Sequence, residues 1–180
     1  MLAPGAFSIA LETPEDIPAR EALLDRAMGP GRKRKSSEML RRGREPSDGL
    51  AFVARGADGA VVGTVRLWDI RLGPEGRAAL LLGPLAVEPT LKGAGIGASL
   101  VRHAVADARR LGHRAILLVG DPGYYARFGF SARKTCTLSM PGPYAPERFL
   151  ALGLREGALD GACGVLQPVG KRTYAAARAA

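Results

Sequence analysis

Cysteine is scarce in this chain, and its two copies, Cys136 and Cys163, are too few for a disulfide framework. Long apolar runs are absent as well. No stretch of roughly 18 or more apolar residues occurs, which excludes a membrane-spanning helix. Residues 1–10 lack a basic start followed by an apolar block, so we expect no signal peptide. These absences predict a cytoplasmic protein with free thiols and no membrane partner.

Positive charge is in excess, since 26 Lys and Arg residues face 17 Asp and Glu residues and the formal net charge is +9. Such an excess favours anionic partners, either nucleic acid or a polyanionic cofactor. Two basic clusters occur: Arg32, Lys33, Arg34, Lys35, Arg41 and Arg42, and then Lys171, Arg172 and Arg178. Few aromatic residues lie among them, which argues against stacking on single-stranded nucleic acid. A solvated surface explains the clusters equally well.

The apolar pattern predicts a mixed α/β fold with one domain over residues 1–170 and a frayed basic tail over residues 171–180. Strands are predicted near residues 7–11, 50–54, 60–72, 78–87, 115–119 and 164–166, with an extended segment over 130–140. Helices are predicted after residues 13–16, around 36–42 with Met39 and Leu40 inward, over 97–111, over 122–127 as a short helix or turn, and over 146–154. The second and third strands form a hairpin. Strands 78–87 and 115–119, joined by a helix, should lie parallel.

A glycine-rich loop, Lys92-Gly93-Ala94-Gly95-Ile96-Gly97, joins the central strand to the long helix. Its glycines allow a close approach to a ligand, and the unpaired N–H groups at a helix start favour an anion such as a diphosphate. Ala98 stands where a Rossmann fingerprint needs its third glycine, and no Gly-Lys-Ser/Thr follows as in a P-loop. A plain glycine-rich turn is the alternative.

Gly83-Pro84 interrupts the apolar strand 78–87, where a regular ladder does not tolerate proline. A bulge, or a parting from strand 115–119, would accommodate it. A parting would leave backbone groups of Leu85, Ala86 and Val87 facing a gap, where an amide-bearing chain could pair like an added strand. A simple break between two short strands explains the dipeptide equally well.

Two tyrosines, Tyr124 and Tyr125, follow strand 115–119, near the carboxyl ends of parallel strands where ligands bind in open α/β sheets. A tyrosine hydroxyl can give a proton to a leaving group of similar basicity, such as a thiolate. Packing in the core or at the rim is the alternative, and it is the interpretation we favour for Tyr124.

Residues 80–130 resemble the GNAT superfamily of N-acetyltransferases. The run Val-Glu-Pro-Thr-Leu-Lys-Gly-Ala-Gly-Ile-Gly at 87–97 is similar to its acetyl-CoA motif, a Val-x-Pro start followed by Gln/Arg-x-x-Gly-x-Gly/Ala. The run Tyr-Ala-Arg-Phe-Gly-Phe at 125–130 is similar to its Tyr-x-x-Leu/Phe-Gly-Phe signature. Segments 82–87 and 120–122 resemble the bacterial YhbS-like subgroup. Lys92 departs from the motif's Gln or Arg, and a Gly-Asp-Pro turn replaces the Asn expected ahead of the tyrosine.

This resemblance implies a GNAT fold, in which a mixed central sheet flanked by helices has parallel fourth and fifth strands that splay apart. The pantetheine arm of acetyl-CoA would enter there, and no metal is expected. Tyr125 would protonate the departing thiolate after direct attack by an amine in a ternary complex. The residues implied to bind acetyl-CoA are Leu85, Ala86, Val87, Lys92, Gly93, Ala94, Gly95, Ile96, Gly97 and Ala98.

No general base is evident. Glu88 and Asp121 stand at strand ends, where a solvated or capping role explains them better, and a water chain or an already neutral amine would serve instead. The amine acceptor is not identified, although the basic stretch 32–44 falls where GNAT proteins often shape the acceptor side, which makes an acidic acceptor one hypothesis. The alternatives are a non-catalytic acyl-CoA-binding regulatory module and a nucleic-acid-binding protein. We do not expect nucleic acid as the partner, and a homodimer is compatible with the sequence.

Overall fold

The computed structural model of the chain describes residues 6–175, which are built around a mixed sheet of seven strands. The strands are β1 (Ser8–Leu11), β2 (Ala51–Arg55), β3 (Val61–Arg71), β4 (Ala78–Val87), β5 (Ala115–Val119), β6 (Leu138–Ser139), β7 (Phe149–Gly153), β8 (Gly164–Val165) and β9 (Gln167–Pro168). The α-helices are α1 (Ile17–Met28), α2 (Glu38–Arg41), α3 (Ile96–Arg110) and α4 (Pro122–Tyr125). The sheet order is β1-β2-β3-β4-β5-β7, β9 pairs with β3, and β6 pairs with β8 in a separate sheet.

Different helices cover the two faces of the large sheet, because successive side chains of a strand point to opposite faces. On one face, Phe52 of β2 belongs to the same buried cluster as Leu100 of α3. On the other face, Val53 packs with Leu23 of α1. The sheet is therefore a middle layer, and the loop between β4 and α3 leaves from the carboxyl end of a buried central strand.

Most predicted elements are confirmed, including the hairpin of β2 and β3, the long helix α3 and the parallel pairing of β4 with β5. The chain enters α1 through a 3₁₀ turn, Pro14–Asp16, that carries the predicted capping signal, since the Thr13 N–H donates to Asp16 Oδ2 at 2.9 Å in a capping box. Gly29, with a φ of 74°, ends that helix. The fold class is therefore the one that the sequence predicted.

The helix predicted over 146–154 is wrong. A 3₁₀ turn at Pro146–Arg148 is followed by β7, which pairs antiparallel with β5. Four consecutive residues of β7, 149–152, are buried, as in a strand covered on both faces. A short continuous apolar run of this kind has the same appearance in a buried strand and in a buried helix, so the sequence pattern could not separate the two.

Two further local predictions are wrong. The segment predicted to be extended over 130–140 contains a 3₁₀ turn, Ala132–Lys134, and only the two-residue strand β6. Met39 is 56% exposed while Leu40 is fully buried. On α2 it is Leu40 and Arg41 that are buried, so the inward side of this single turn begins one residue after Met39.

The start of the basic tail is paired and not frayed. The Thr173 N–H donates to the Gly43 carbonyl at 2.9 Å, and Lys171 forms an ion pair with Glu45 at 3.1 Å. Arg178, in the second basic cluster, lies outside the described residues. The division into a domain over 1–170 and a tail stays a prediction. None of the helices within residues 6–175 is both long and apolar enough to cross a membrane.

Candidate active site

β4 and β5 run side by side and then separate, which confirms the predicted parting of these strands. Their only paired positions are Leu80 with Ile116 and Leu81 with Leu117, within strands that are fully described. Beyond that point β4 stays paired with β3 through Val87, and β5 stays paired with β7. Each strand follows its other neighbour, so a gap opens between their carboxyl ends.

The Gly83-Pro84 dipeptide forms the predicted bulge at the start of this gap. The register between β3 and β4 shifts there, because Leu82 pairs with Leu67 but Leu85 pairs with Val65. The indole Nε1 of Trp68 donates to the Gly83 carbonyl at 2.5 Å. That hydrogen bond satisfies a carbonyl that the bulge removes from the ladder, and it fixes the edge of the gap.

Along an antiparallel ladder, residues whose backbone bonds to the neighbouring strand alternate with residues whose backbone points away from it. This alternation shows which residues of β4 direct their backbone groups into the gap. The Glu88 N–H donates to the Val62 carbonyl at 2.8 Å, so the peptide groups of Ala86, two residues earlier, also face β3. The N–H and C=O groups of Leu85 and Val87 therefore point away from β3, into the gap. Of the three predicted residues, Leu85 and Val87 carry the available backbone groups, and Ala86 does not.

The glycine-rich loop presents a row of backbone donors next to this gap. The N–H groups of residues 93 and 95–98 have no acceptor among the described residues, and α3 has no side-chain cap. Gly93 and Gly95 have φ values of 94° and 81°, which favour glycine, and a Cβ at either would meet no atom within 4 Å. Open space therefore lies in front of the donors, in a pocket of about 210 Å³ that Lys92 also lines.

Two residues that the sequence analysis left without a binding role, Tyr124 and Arg127, form the opposite wall of this pocket. The Tyr124 hydroxyl would lie 2.9 Å from a Cβ at Gly97, so a larger residue there would have to displace the end of the tyrosine side chain. The Arg127 guanidinium lies 4.6 Å from the Tyr124 ring centroid and adds positive charge. Arg127 lies within residues 125–130, the run that is similar to the GNAT signature, and that run was the sequence signal that could have indicated its position in the site.

Tyr125 lies in the cleft between the separated strands, where it lines a cavity of about 250 Å³ together with Pro84 and Leu85. Its ring packs edge-on against Phe130, at 5.8 Å between centroids. The hydroxyl has no hydrogen-bond partner among the described residues and is not one of their fully buried polar atoms, so it is accessible to a ligand in the cleft. Burial, together with the neighbouring Tyr124, raises the pKa of Tyr125, and the phenol is therefore protonated at neutral pH.

The carboxylates considered at the strand ends have structural partners. Asp121 Oδ2 accepts the Tyr124 N–H at 2.8 Å and caps α4. Glu88 forms an ion pair with Arg26 at 2.8 Å. The exposed His103 lies on α3, with Nε2 3.8 Å from Asp107. Of the three, only Asp121 lines the cleft, where it is held as a helix cap, and the positions of Glu88 and His103 agree with the surface roles expected from the sequence.

A second pocket, of about 230 Å³, shares Pro84 and Arg41 with the cleft, and we call it the basic pocket. It is lined by Arg20, Glu21, Leu24, Arg32, Lys33, Glu38, Arg41, Arg42, Gly43, Arg66, Trp68 and Pro84. A fully solvated surface is wrong for two members of the first basic cluster. Arg32 is buried with its Nε 2.7 Å from Asp25, and Arg41 is buried with its Nε 2.7 Å from Glu38.

A metal centre has no candidate ligands among residues 6–175, where no group of three or more His, Cys, Asp or Glu side chains could hold an ion.

The separated parallel strands, the loop of free N–H donors and the tyrosines that follow β5 together define the candidate site. The model of the Acetyltransferase (GNAT) family matches residues 19–130. The chain therefore belongs to the GNAT family of acyltransferases, as its motifs predicted.

Individual relatives agree with this assignment. The uncharacterised N-acetyltransferase YhbS of Escherichia coli K12 is 30% identical over 162 residues, which cover 88% of this chain and 94% of that protein. The crystal structure of E. coli YhbS in complex with CoA superposes with a TM-score of 0.76 at 28% identity, over 91% of this chain and 89% of that one. A GNAT acetyltransferase from Brucella melitensis in complex with acetyl-CoA has a TM-score of 0.62 at 29% identity, over 87% and 99%. The predicted resemblance to YhbS is confirmed.

Proposed function

We propose that the protein transfers the acetyl group of acetyl-CoA to a primary amine by direct attack in a ternary complex. One observation carries the proposal: free backbone groups of β4 line a gap that adjoins a loop of free N–H donors. CoA joins an amide-bearing arm to a diphosphate, so one ligand would engage both features. The CoA-bound E. coli YhbS and the acetyl-CoA-bound Brucella protein support this ligand.

The binding roles follow from the groups that each residue offers. The N–H and C=O groups of Leu85 and Val87 would pair with the pantetheine amides as a neighbouring strand does. The N–H groups of residues 93 and 95–98 would hold the diphosphate, with Lys92 adding a full positive charge beside them. Ala86 would keep this segment of β4 attached to β3.

Tyr125 would act at the sulfur end of the arm. Acetyl-CoA supplies an acyl group activated as a thioester. When the amine nitrogen bonds to the carbonyl carbon and the C–S bond breaks, the Tyr125 hydroxyl gives its proton to the departing sulfur. Backbone N–H groups at the bulge would polarise the carbonyl oxygen. The attacking nitrogen loses one proton in the same reaction, and its transfer through water to the Tyr125 phenolate restores the phenol, so the products are the N-acetylated amine and the free CoA thiol.

The described residues that line the cleft include no carboxylate or histidine without a structural partner, so we assign no side chain as the base that deprotonates the amine. Asp121 lines the cleft but is a helix cap, and Glu38 in the basic pocket is paired with Arg41. We propose that the amine binds in its neutral form, or that the ammonium form loses a proton to water before the attack.

Cytoplasmic location is part of the proposal, because Cys136 and Cys163 are exposed free thiols.

The test has two stages. Calorimetric titration with acetyl-CoA should show saturable binding, and a panel of amines should then release free CoA thiol. Binding without release from any amine would favour the non-catalytic acyl-CoA-binding module. Absence of binding would contradict the proposal at its first step.

A further inference from the structure

We infer that the acceptor is a small primary amine that also carries an anionic group, a carboxylate or a phosphate, held by Lys33 and Arg42 in the basic pocket. The inference rests on the proposed function, because it assigns the acceptor of the same transfer reaction. It is carried by the position of the basic pocket and by the balance of charge within it.

The basic pocket adjoins the place where the acyl group would be transferred. Pro84, in the β4 bulge, lines both the basic pocket and the cleft that contains Tyr125. Trp68, whose indole binds the Gly83 carbonyl, lines the basic pocket as well. A molecule in the pocket would therefore have one end beside Pro84, where its amine could reach the cleft.

The floor of the pocket is a network in which the charges cancel. Four guanidinium groups of the lining are each paired with carboxylates. The pairs are Arg20 with Glu12 and Glu21, Arg32 with Glu21 and Asp25, Arg41 with Glu38, and Arg66 with Glu12. These four arginines therefore meet four carboxylates in all, which balances their charges, although Arg20 Nε is buried without a hydrogen-bond partner.

Two further residues that line the pocket, Lys33 and Arg42, take no part in these ion pairs. Both are exposed, and neither has a carboxylate within ion-pair distance among the residues that the structure describes. Arg42 Nη2 donates to the Lys33 carbonyl at 3.2 Å, so the two residues meet at the rim. An arginine fork binds carboxylate or phosphate in two-point contact, and a lysine adds a second charge.

The same charges select against other amines. A second ammonium group on the acceptor would meet two unpaired positive charges and would be repelled, whereas a carboxylate or phosphate would be attracted. The volume of about 230 Å³ is suited to a small molecule. The geometry thus favours an acidic amine over a polyamine.

Matched acceptors test the inference in the intact protein. We would measure kcat/KM by thiol release for β-alanine against its amide, for O-phosphoethanolamine against ethanolamine, and for putrescine. At least one anionic amine should exceed its neutral partner about tenfold, as one charge-assisted hydrogen bond allows, and the pair with the larger ratio identifies carboxylate or phosphate. Equal values in both pairs, or a preference for putrescine, would overturn the inference.

Variants then locate the effect. Lys33→Gln and Arg42→Gln should each lower the ratio of anionic to neutral kcat/KM about fivefold, mainly through KM. Arg34→Gln is the matched control, because Arg34 is exposed in the same segment but does not line the pocket. An unchanged ratio in both test variants, with transfer intact, defeats this inference alone. Failure of every amine to release thiol defeats the proposed transfer itself.

Discussion

The glycine-rich loop and the basic pocket both present positive potential to a ligand, but they do so with different parts of the chain. The loop uses backbone N–H groups from one contiguous segment, residues 93–98, held open by two glycines with positive φ. The basic pocket uses side chains from α1, from the stretch 32–43 and from β3, which meet only in the folded chain. The first kind of site is visible as a spacing of glycines in the sequence. The second depends on which charges are already paired.

The largest effect should come from the group that lies between these two regions. Tyr125→Phe should lower kcat about a hundredfold, because it removes the proposed proton donor while leaving the packed ring in place. Acetyl-CoA affinity, measured by calorimetry, should stay close to the parent value, since the loop donors are untouched. Tyr144→Phe is the control, because Tyr144 packs against Phe149 outside the cleft. A kcat close to that of the parent protein would remove Tyr125 from the acid role.

Much of the geometry of the cleft and the glycine-rich loop could be predicted because its signals are local. Gly83-Pro84 indicated the bulge, and the run from Lys92 to Gly97 indicated the loop, since each depends on backbone conformation that a few residues dictate. The separation of β4 from β5 is a consequence of the first signal and is confirmed.

The basic pocket could not be predicted to the same depth. A basic cluster does not reveal that Arg32 and Arg41 are neutralised by acids while Lys33 and Arg42 are not, because Arg32 pairs with Asp25 of α1, and Glu38 stands at helical spacing from both Arg41 and Arg42. Trp68 likewise gave no sign that it would bond to the bulge carbonyl. The helix predicted over 146–154 failed for a related reason, since pairing with β5 decides its conformation.

A glycine pair sharpens the claim that the loop binds through its backbone. Gly95→Ala should weaken acetyl-CoA binding about tenfold, because a φ of 81° costs an alanine about 1–2 kcal/mol and the strained loop would relax away from the diphosphate position. Gly112→Ala, after α3, has a φ of 87° and equally open surroundings, so it should carry a similar stability cost without loss of affinity. Calorimetry and thermal unfolding separate the two effects. Equal affinity in both variants would contradict a role for the loop.

The hydrogen bond from the Trp68 indole to the Gly83 carbonyl connects the basic pocket to the β4 bulge, and one substitution removes it. Trp68→Phe should lower the free energy of unfolding by about 1–3 kcal/mol, because the Gly83 carbonyl loses its buried partner. It should also raise the acceptor KM, since Trp68 lines the basic pocket, with a smaller change in acetyl-CoA affinity. Denaturant unfolding and steady-state kinetics measure these quantities. A larger loss on the acetyl-CoA side would reverse the assignment of the pocket.

The smallest effect concerns pH. The Tyr125 hydroxyl must be protonated to act as an acid, and burial raises its pKa, so it stays competent above the ordinary tyrosine pKa of about 10. The pH profile of kcat should therefore show no descending limb caused by this group up to about pH 10. A descending limb below pH 9 that disappears in Tyr125→Phe would show that the phenol ionises too early for this account.

Backbone amide hydrogen exchange, resolved by residue with and without saturating acetyl-CoA, measures whether the backbone of β4 and the loop binds the cofactor. Amides of Leu85, Val87 and the loop residues 93 and 95–98 should exchange more slowly when acetyl-CoA is bound, because they gain acceptors. The Ala86 amide, which already faces β3, should change least and serves as the internal reference. Unaltered exchange at Leu85, Val87 and the loop in the saturated protein would show that these backbone groups do not bind acetyl-CoA.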